Sequence, residues 1–189
     1  MIGVTDLPPG RQILRRSNVT VPHEITPSSM RAVLGHFATG LTVITAAGPD
    51  GPIGFTCQSF TSLSLEPALI SINPTKSSAT WPQIREIGQF AVNILPAGSE
   101  ELATQFSRKG IKRFDRIEWA ASEHGNPHLA AALAWVDCEL VTEYDGGDHS
   151  IALGKVKSLR SSGRIIEPLL FFRGQFAALQ LPKLAALSA

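Results

Sequence analysis

Four short segments hold side chains whose types and spacing suit work on a small molecule. In "DGGDHSIALGKV", residues 145–156, Asp148 and His149 stand together before a run of small and apolar residues. A carboxylate beside an imidazole can orient a ligand or move a proton. The same pair also suits the cap of a hairpin, with Gly146 and Gly147 in the turn. In "GFTCQSFTSLSLEP", residues 54–67, Thr56, Gln58 and Ser59 offer groups for the polar edge of a ring or for a phosphate. Phe55 lies beside them, and Gly54 would let backbone approach a ligand closely. A Ser/Thr-rich edge strand has the same composition. "NPTKSSAT", residues 73–80, sets Lys76, Ser77, Ser78 and Thr80 at the entrance to a helix, where free N–H groups favour an anion or simply receive a cap. "FSRKGIKRF", residues 106–114, adds a basic loop with an aromatic residue at each end.

Other chemistries find no foothold. There is no glycine-rich dinucleotide fingerprint between strand and helix, no phosphate loop ending in Gly-Lys-Ser/Thr, and no nucleophile elbow. His124 and His128 in "HGNPH" have a spacing that could suit a metal. Gly125 and Pro127 break any helix there and no further ligand is evident, so a surface loop is expected and no metal site is assigned. His23 and His36 have no partner in sequence, and are expected to be ordinary surface or helix residues. Cys57 and Cys138 form no CxxC motif, which fits a reducing compartment and an expected cytoplasmic location.

A net charge of +1 over 189 residues, with no long basic run, gives no footprint for nucleic acid or an anionic membrane. No apolar run approaches the roughly 18 residues of a membrane span. Arg15 and Arg16 are followed by no apolar segment, so they do not read as a twin-arginine signal. The expected organisation is a flexible arm over 1–25, one domain over 26–180 and a tail over 181–189. Only 17% of residues are charged against 43% hydrophobic, which suggests that surface is covered by a second subunit.

The elements that must position these residues are mostly strands. "TPSSMRAVLGHFATG" reads as a helix capped by Thr26, with Pro27 in its first turn, Met30, Val33, Leu34 and Phe37 on one face, and Gly40 as its stop. "LTVITAA" and "PIGFTCQSF" flank a hairpin tip at Pro49, Asp50 and Gly51. "ALISIN" and "QFAVNIL" are strands, with a Ser-capped helix in "SSATWPQIREIG" between them and a helix capped by Ser99 in "SEELATQFSRK" after them. "LAWVDCELVTEY" alternates as a half-buried strand, with Trp135, Asp137 and Glu139 in one set and Val136, Cys138 and Leu140 in the other. "HSIALGKVKSL", "PLLFF" and "GQFAAL" complete a mainly β, antiparallel barrel with about three short helices.

Taken in order, "FATGLTVIT", "GFTCQSFTSLSLEP", "NPTKSSATWPQIREIGQFAVNIL", "DGGDHSIALGKV" and "PLLFFRGQF" resemble the short-chain flavin reductases, the reductase partners of two-component flavin monooxygenases. The resemblance spans residues 28–178. It implies a split barrel that binds FMN or FAD, a homodimer with flavin near the subunit interface, and hydride transfer from NADH or NADPH to flavin for use by a separate monooxygenase. It places the flavin on Gly54, Phe55, Thr56, Gln58 and Ser59. It places the phosphate on the loop Asn73, Pro74, Thr75, Lys76, Ser77, Ser78 and Thr80, with Lys76 and Ser78 foremost. Phe106 and Lys109 match a loop that closes on the flavin, with Arg113 and Phe114 as its tail. His149, held by Asp148, is placed beside the nicotinamide, and Cys57 is read as a packing residue. Two other functions compete: an oxidase of the pyridoxamine-phosphate type, and a non-catalytic FMN-binding electron-transfer module.

Overall fold

The computed structural model describes residues 24–179. Nearly all of the N-terminal arm, with Arg15, Arg16 and His23, and the whole C-terminal tail lie outside the described residues. The first helix, α1 (Pro27–Leu34), starts as its sequence dictates: the Thr26 hydroxyl accepts from the Ser29 N–H and the Ser29 hydroxyl closes the reciprocal bond. It ends earlier than the expected stop at Gly40, because Thr39–Gly40 is strand β1, and its apolar face is not buried.

Seven strands form one antiparallel sheet: β2 (Thr42–Gly48), β3 (Gly51–Cys57), β4 (Thr61–Leu65), β5 (Ala68–Ile72), β6 (Gln89–Ile94), β9 (Ala134–Gly146) and β10 (His149–Ser161). Their order across the sheet is β3-β2-β6-β9-β10-β5-β4. The two edge strands, β3 and β4, are consecutive in the chain and separated only by residues 58–60, so the sheet must roll until its edges meet there. No ladder joins those edges, and the barrel stays split. Two small sheets accompany it. β11 (Leu169–Phe172) pairs with β1 and with β12 (Gln175–Ala178), and β7 (Trp119–Ala121) pairs with β8 (Pro127–Leu129).

β2 explains why "LTVITAA" is apolar without alternation. Ile44 enters one core with Ile72, Trp81, Ile84, Phe90 and Val92, while the adjacent Val43 enters a second core with Leu41, Leu95, Phe106, Leu129 and Leu169. A strand covered on both faces needs apolar side chains at successive positions. Helix α2 (Trp81–Ile87) supplies Trp81 and Ile84 to the first core, and helix α3 (Glu100–Ser107) supplies Ala103 and Phe106 to the second. Gly88 ends α2 in the left-handed conformation, φ 76°. Ser99 precedes α3 as expected but makes no side-chain cap bond; Glu100 and Glu101 occupy the first turn, where negative charge is favoured.

The segment around "HGNPH" departs from expectation. It is not a surface loop: β7 and β8 form a hairpin that covers part of β9, and Asp137 on β9 is buried. Asp137 accepts from Ser122 and from the Asn126 amide at 2.9 Å on one oxygen, and binds His128 Nε2 at 2.9 Å and the Ser158 hydroxyl at 3.1 Å through the other. The His128 ring stacks on Trp135 at a centroid distance of 5.6 Å. Nearby, buried Asn93 donates to the Val43 carbonyl and Thr45 hydroxyl and accepts from the Leu129 N–H. These bonds pair most of the buried polar groups, Asn126 Oδ1 excepted, and fix the hairpin on the sheet.

Candidate active site

The loop after β5 and the β9–β10 hairpin hold each other. Residues 73–76 run antiparallel to the start of β10: Lys76 N–H donates to the Asp148 carbonyl at 3.0 Å, and Ser150 N–H donates to the Pro74 carbonyl at 2.9 Å. Gly147 makes the intervening turn at φ 82°, a conformation a side chain resists. On the other flank of the loop, Ser59 accepts from the Asn73 N–H at 2.7 Å, tying it to the exit of β3. Three stretches far apart in sequence therefore converge.

Between them lies a cavity of about 750 Å³. Phe55, Thr56, Gln58 and Ser59 line it from β3 and its exit, Asn73, Pro74, Thr75 and Ser78 from the loop, and Gly146 and His149 from the hairpin. Leu41, Ile151, Phe171 and Phe176 give it an apolar wall. Phe171 and Phe176 are cross-strand partners on β11 and β12, with ring centroids 5.7 Å apart. Neither ring is among the site residues expected from the sequence, although both lie in "PLLFFRGQF". The available signal was a short hairpin with an aromatic residue on each strand.

The remaining expected residues fall elsewhere. Lys76 lines neither this cavity nor the next one, since its ammonium is paired with Asp145 at 2.5 Å. Ser77 lines neither, and its hydroxyl sits 3.1 Å from that of Thr75. Ser78 accepts from the N–H groups of Thr80 and Trp81 just ahead of α2, whose N-cap is Thr80 and not the expected serine. Phe106 is fully buried on α3, edge-on to Phe114 at 5.0 Å, instead of on a closing loop. Gly54 makes room for that packing: a Cβ there would meet the Ile44 carbonyl at 2.6 Å and the Phe106 ring at 3.1 Å. Thr56 donates to the Ala103 carbonyl, fixing α3 against β3.

A second cavity, about 760 Å³, adjoins the first and shares Phe55, Thr56, Thr75, Ser78 and Ser107 with it. Gly54, Thr80, Phe106 and Lys109 line this one. Arg113 crosses its wall, donating from Nη1 to the Gly54 carbonyl and the Thr80 hydroxyl at 2.7 Å each, and from Nε to the Arg108 carbonyl at 2.8 Å.

Electrostatics separate a positioning pair from inert thiols. Asp148 accepts from His149 Nδ1 at 2.7 Å, and that hydrogen bond followed by the imidazole's charge holds the carboxyl below its ordinary value. Burial pushes the Cys57 thiol up, and burial with the Asp137 charge pushes Cys138 up to about 12. Neither presents a thiolate at neutral pH, so Cys57 packs against the cavity without being a nucleophile.

Residues 34–180 match the flavin reductase like domain. The chain belongs to this family. It is 42% identical over 161 residues to the reductase subunit HsaB of a flavin-dependent monooxygenase of Mycobacterium tuberculosis, covering 85% of this chain and 86% of that one. It is 40% identical over 159 residues to the FMN reductase (NADH) SmoA of Agrobacterium fabrum, covering 84% and 90%. The solved structure of the NADH:FAD oxidoreductase SgcE6 of Streptomyces globisporus superposes with a TM-score of 0.77 at 36% identity, covering 85% of this chain and 99% of that one.

Proposed function

We propose that this chain is an NADH-dependent flavin reductase that supplies reduced flavin to a separate monooxygenase. The observation that carries the reading is the first cavity, in a chain of this family: a polar strand and loop face a histidine hairpin across a space large enough for stacked rings. A bound flavin supplies the two-electron acceptor for the hydride of NADH. The chain's own residues bind and orient. Gln58 and Ser59 offer polar groups to the ring edge and ribityl chain, Ser78 and Thr75 mark the phosphate end, and Phe55 and Phe171 exclude water. His149 presents Nε2 to the carboxamide of the nicotinamide, and the Asp148 bond at Nδ1 holds the ring in place. Close stacking is what this reaction demands of the protein, so a positioning role suffices for His149.

The same reading includes a homodimer and a cytoplasmic location. The open apolar face of α1 supports the first; the two free, buried cysteines suit the second. Among the described residues no helix is long and apolar enough to cross a membrane. Aerobic NADH oxidation, followed with no flavin and with added FMN or FAD, tests the activity. Consumption that rises with added flavin is expected. Tight flavin binding without NADH turnover would instead make the chain an electron-transfer module.

A further inference from the structure

The flavin reductase family does not by itself decide which flavin a member uses, since SmoA is an FMN reductase and SgcE6 an NADH:FAD oxidoreductase. The second cavity bears on that choice. The first cavity alone, at about 750 Å³, lies in the range that encloses a drug-sized ligand, which an isoalloxazine, a ribityl chain and one phosphate would satisfy. A space of equal size adjoins it along Phe55, Thr56, Thr75, Ser78 and Ser107, and FMN has nothing left to fill it.

We propose that the second cavity receives the adenylate half of FAD, so that this chain selects the dinucleotide flavin over FMN. The assignment rests on the flavin reductase reading above. Its walls combine the two chemistries an adenylate needs. Arg113 spends Nε and both Nη1 hydrogens on Arg108, Gly54 and Thr80, which holds the guanidinium rigid. Among the described residues no acceptor takes the Nη2 hydrogens, and a planar edge fixed in this way is prepared for phosphate oxygens. Lys109 and Lys112 line the same space and add charge. Pro52, Ile53 and Ile111 provide apolar surface for a purine face, and the Asp50 carboxylate is an acceptor suited to its amino group. An adenosine diphosphate moiety also occurs in NADH. His149 lines only the first cavity, however, while the residues the two spaces share, Phe55 and Thr56 of β3, Ser107 of α3, and Thr75 and Ser78 of the loop, are ones the reading above sets along the flavin, which assigns the second to the flavin.

Calorimetric titration of the full chain with FAD, FMN and riboflavin, without NADH, tests this directly. FAD is expected to bind about tenfold or more tightly than FMN, the difference that one charge-assisted hydrogen bond supplies. ADP should compete with FAD and leave riboflavin binding untouched. Ile111→Glu places a like charge beside the diphosphate on an exposed loop, and should weaken FAD by roughly fivefold or more while FMN stays within about twofold. Arg113→Gln should weaken FAD more than FMN. Equal affinities for FAD and FMN in the unaltered chain would overturn the assignment. So would equal losses for both in Arg113→Gln, which would put the FMN phosphate on Arg113, or ADP competing with NADH instead of FAD. Failure of the reductase reading looks different: FAD would still bind with the expected preference, yet no flavin would stimulate NADH oxidation.

Discussion

His149 illustrates how much a single residue can be asked to do. Its imidazole is half exposed and its Nδ1 is engaged by Asp148, an arrangement that holds a ring in place. If it positions the nicotinamide and transfers no proton, His149→Ala should raise the NADH Michaelis constant several-fold, as expected from about 1 kcal/mol for one neutral hydrogen bond. Flavin affinity should be unchanged. A turnover number lowered by roughly a hundredfold in stopped-flow flavin reduction would mean a general acid instead. Lys76 makes the opposite case. Its place in "NPTKSSAT" suggested an anion contact, and composition could not reveal that the β9–β10 hairpin brings Asp145 against it. That exposed pair is screened by water, and Lys76 lines neither cavity. Lys76→Ala should therefore leave the flavin dissociation constant within about twofold. Ser78→Ala should weaken phosphorylated flavins more than riboflavin, and equal losses in such titrations would remove its phosphate role.

Among the elements, strands and helices were legible because each obeys a local rule: the Thr26 capping box, the tip between β2 and β3, the turn at Gly147. Burial was legible only where one face of an element is wet. Alternation along β9 separated Asp137 from the Val136 and Cys138 set, and nothing in that period could show that β7 and β8 would cover it. The consequence is testable. Asp137→Asn replaces one of two acceptor oxygens with a donor where Ser122, Asn126 and Ser158 donate, and each donor left without an acceptor costs about 1–3 kcal/mol. Urea unfolding should show that loss, with flavin affinity retained in the folded fraction, because Asp137 lines neither flavin cavity. Glu143 gives the hairpin a pH dependence. Burial raises its carboxyl, but hydrogen bonds from Ser150 and Trp81 and the Arg85 charge outweigh this and hold it below the ordinary value. A carboxylate lowered by folding stabilises the native state above its unfolded value, and the contribution is lost as pH falls through the lowered one. Glu143→Gln should therefore lower the melting temperature at pH about 7 and have progressively less effect below about pH 4.

At the scale of the whole molecule, the sequence showed many strands and few helices without showing their order. That order follows from long-range pairing, such as β10 with β5 and β6 with β9, and no local signal encodes it. Surface is where the whole exceeds its parts. Met30, Val33, Leu34 and Phe37 lie three or four residues apart on and just beyond α1, yet all four are exposed, Phe37 by 77%. Leu65 on β4 and Leu159 on β10 are exposed as well, by 90% and 73%. An apolar helix face of this kind is unfavourable in water and is favoured where a second copy covers it. If α1 lies in a homodimer interface, light scattering at micromolar concentration should give twice the 20.3 kDa chain mass. Val33→Glu combined with Phe37→Glu should shift the population toward monomer, because a desolvated, unpaired carboxylate costs several kcal/mol at an interface. A double variant that remains fully dimeric would move the interface away from α1, and a monomeric unaltered chain would remove it.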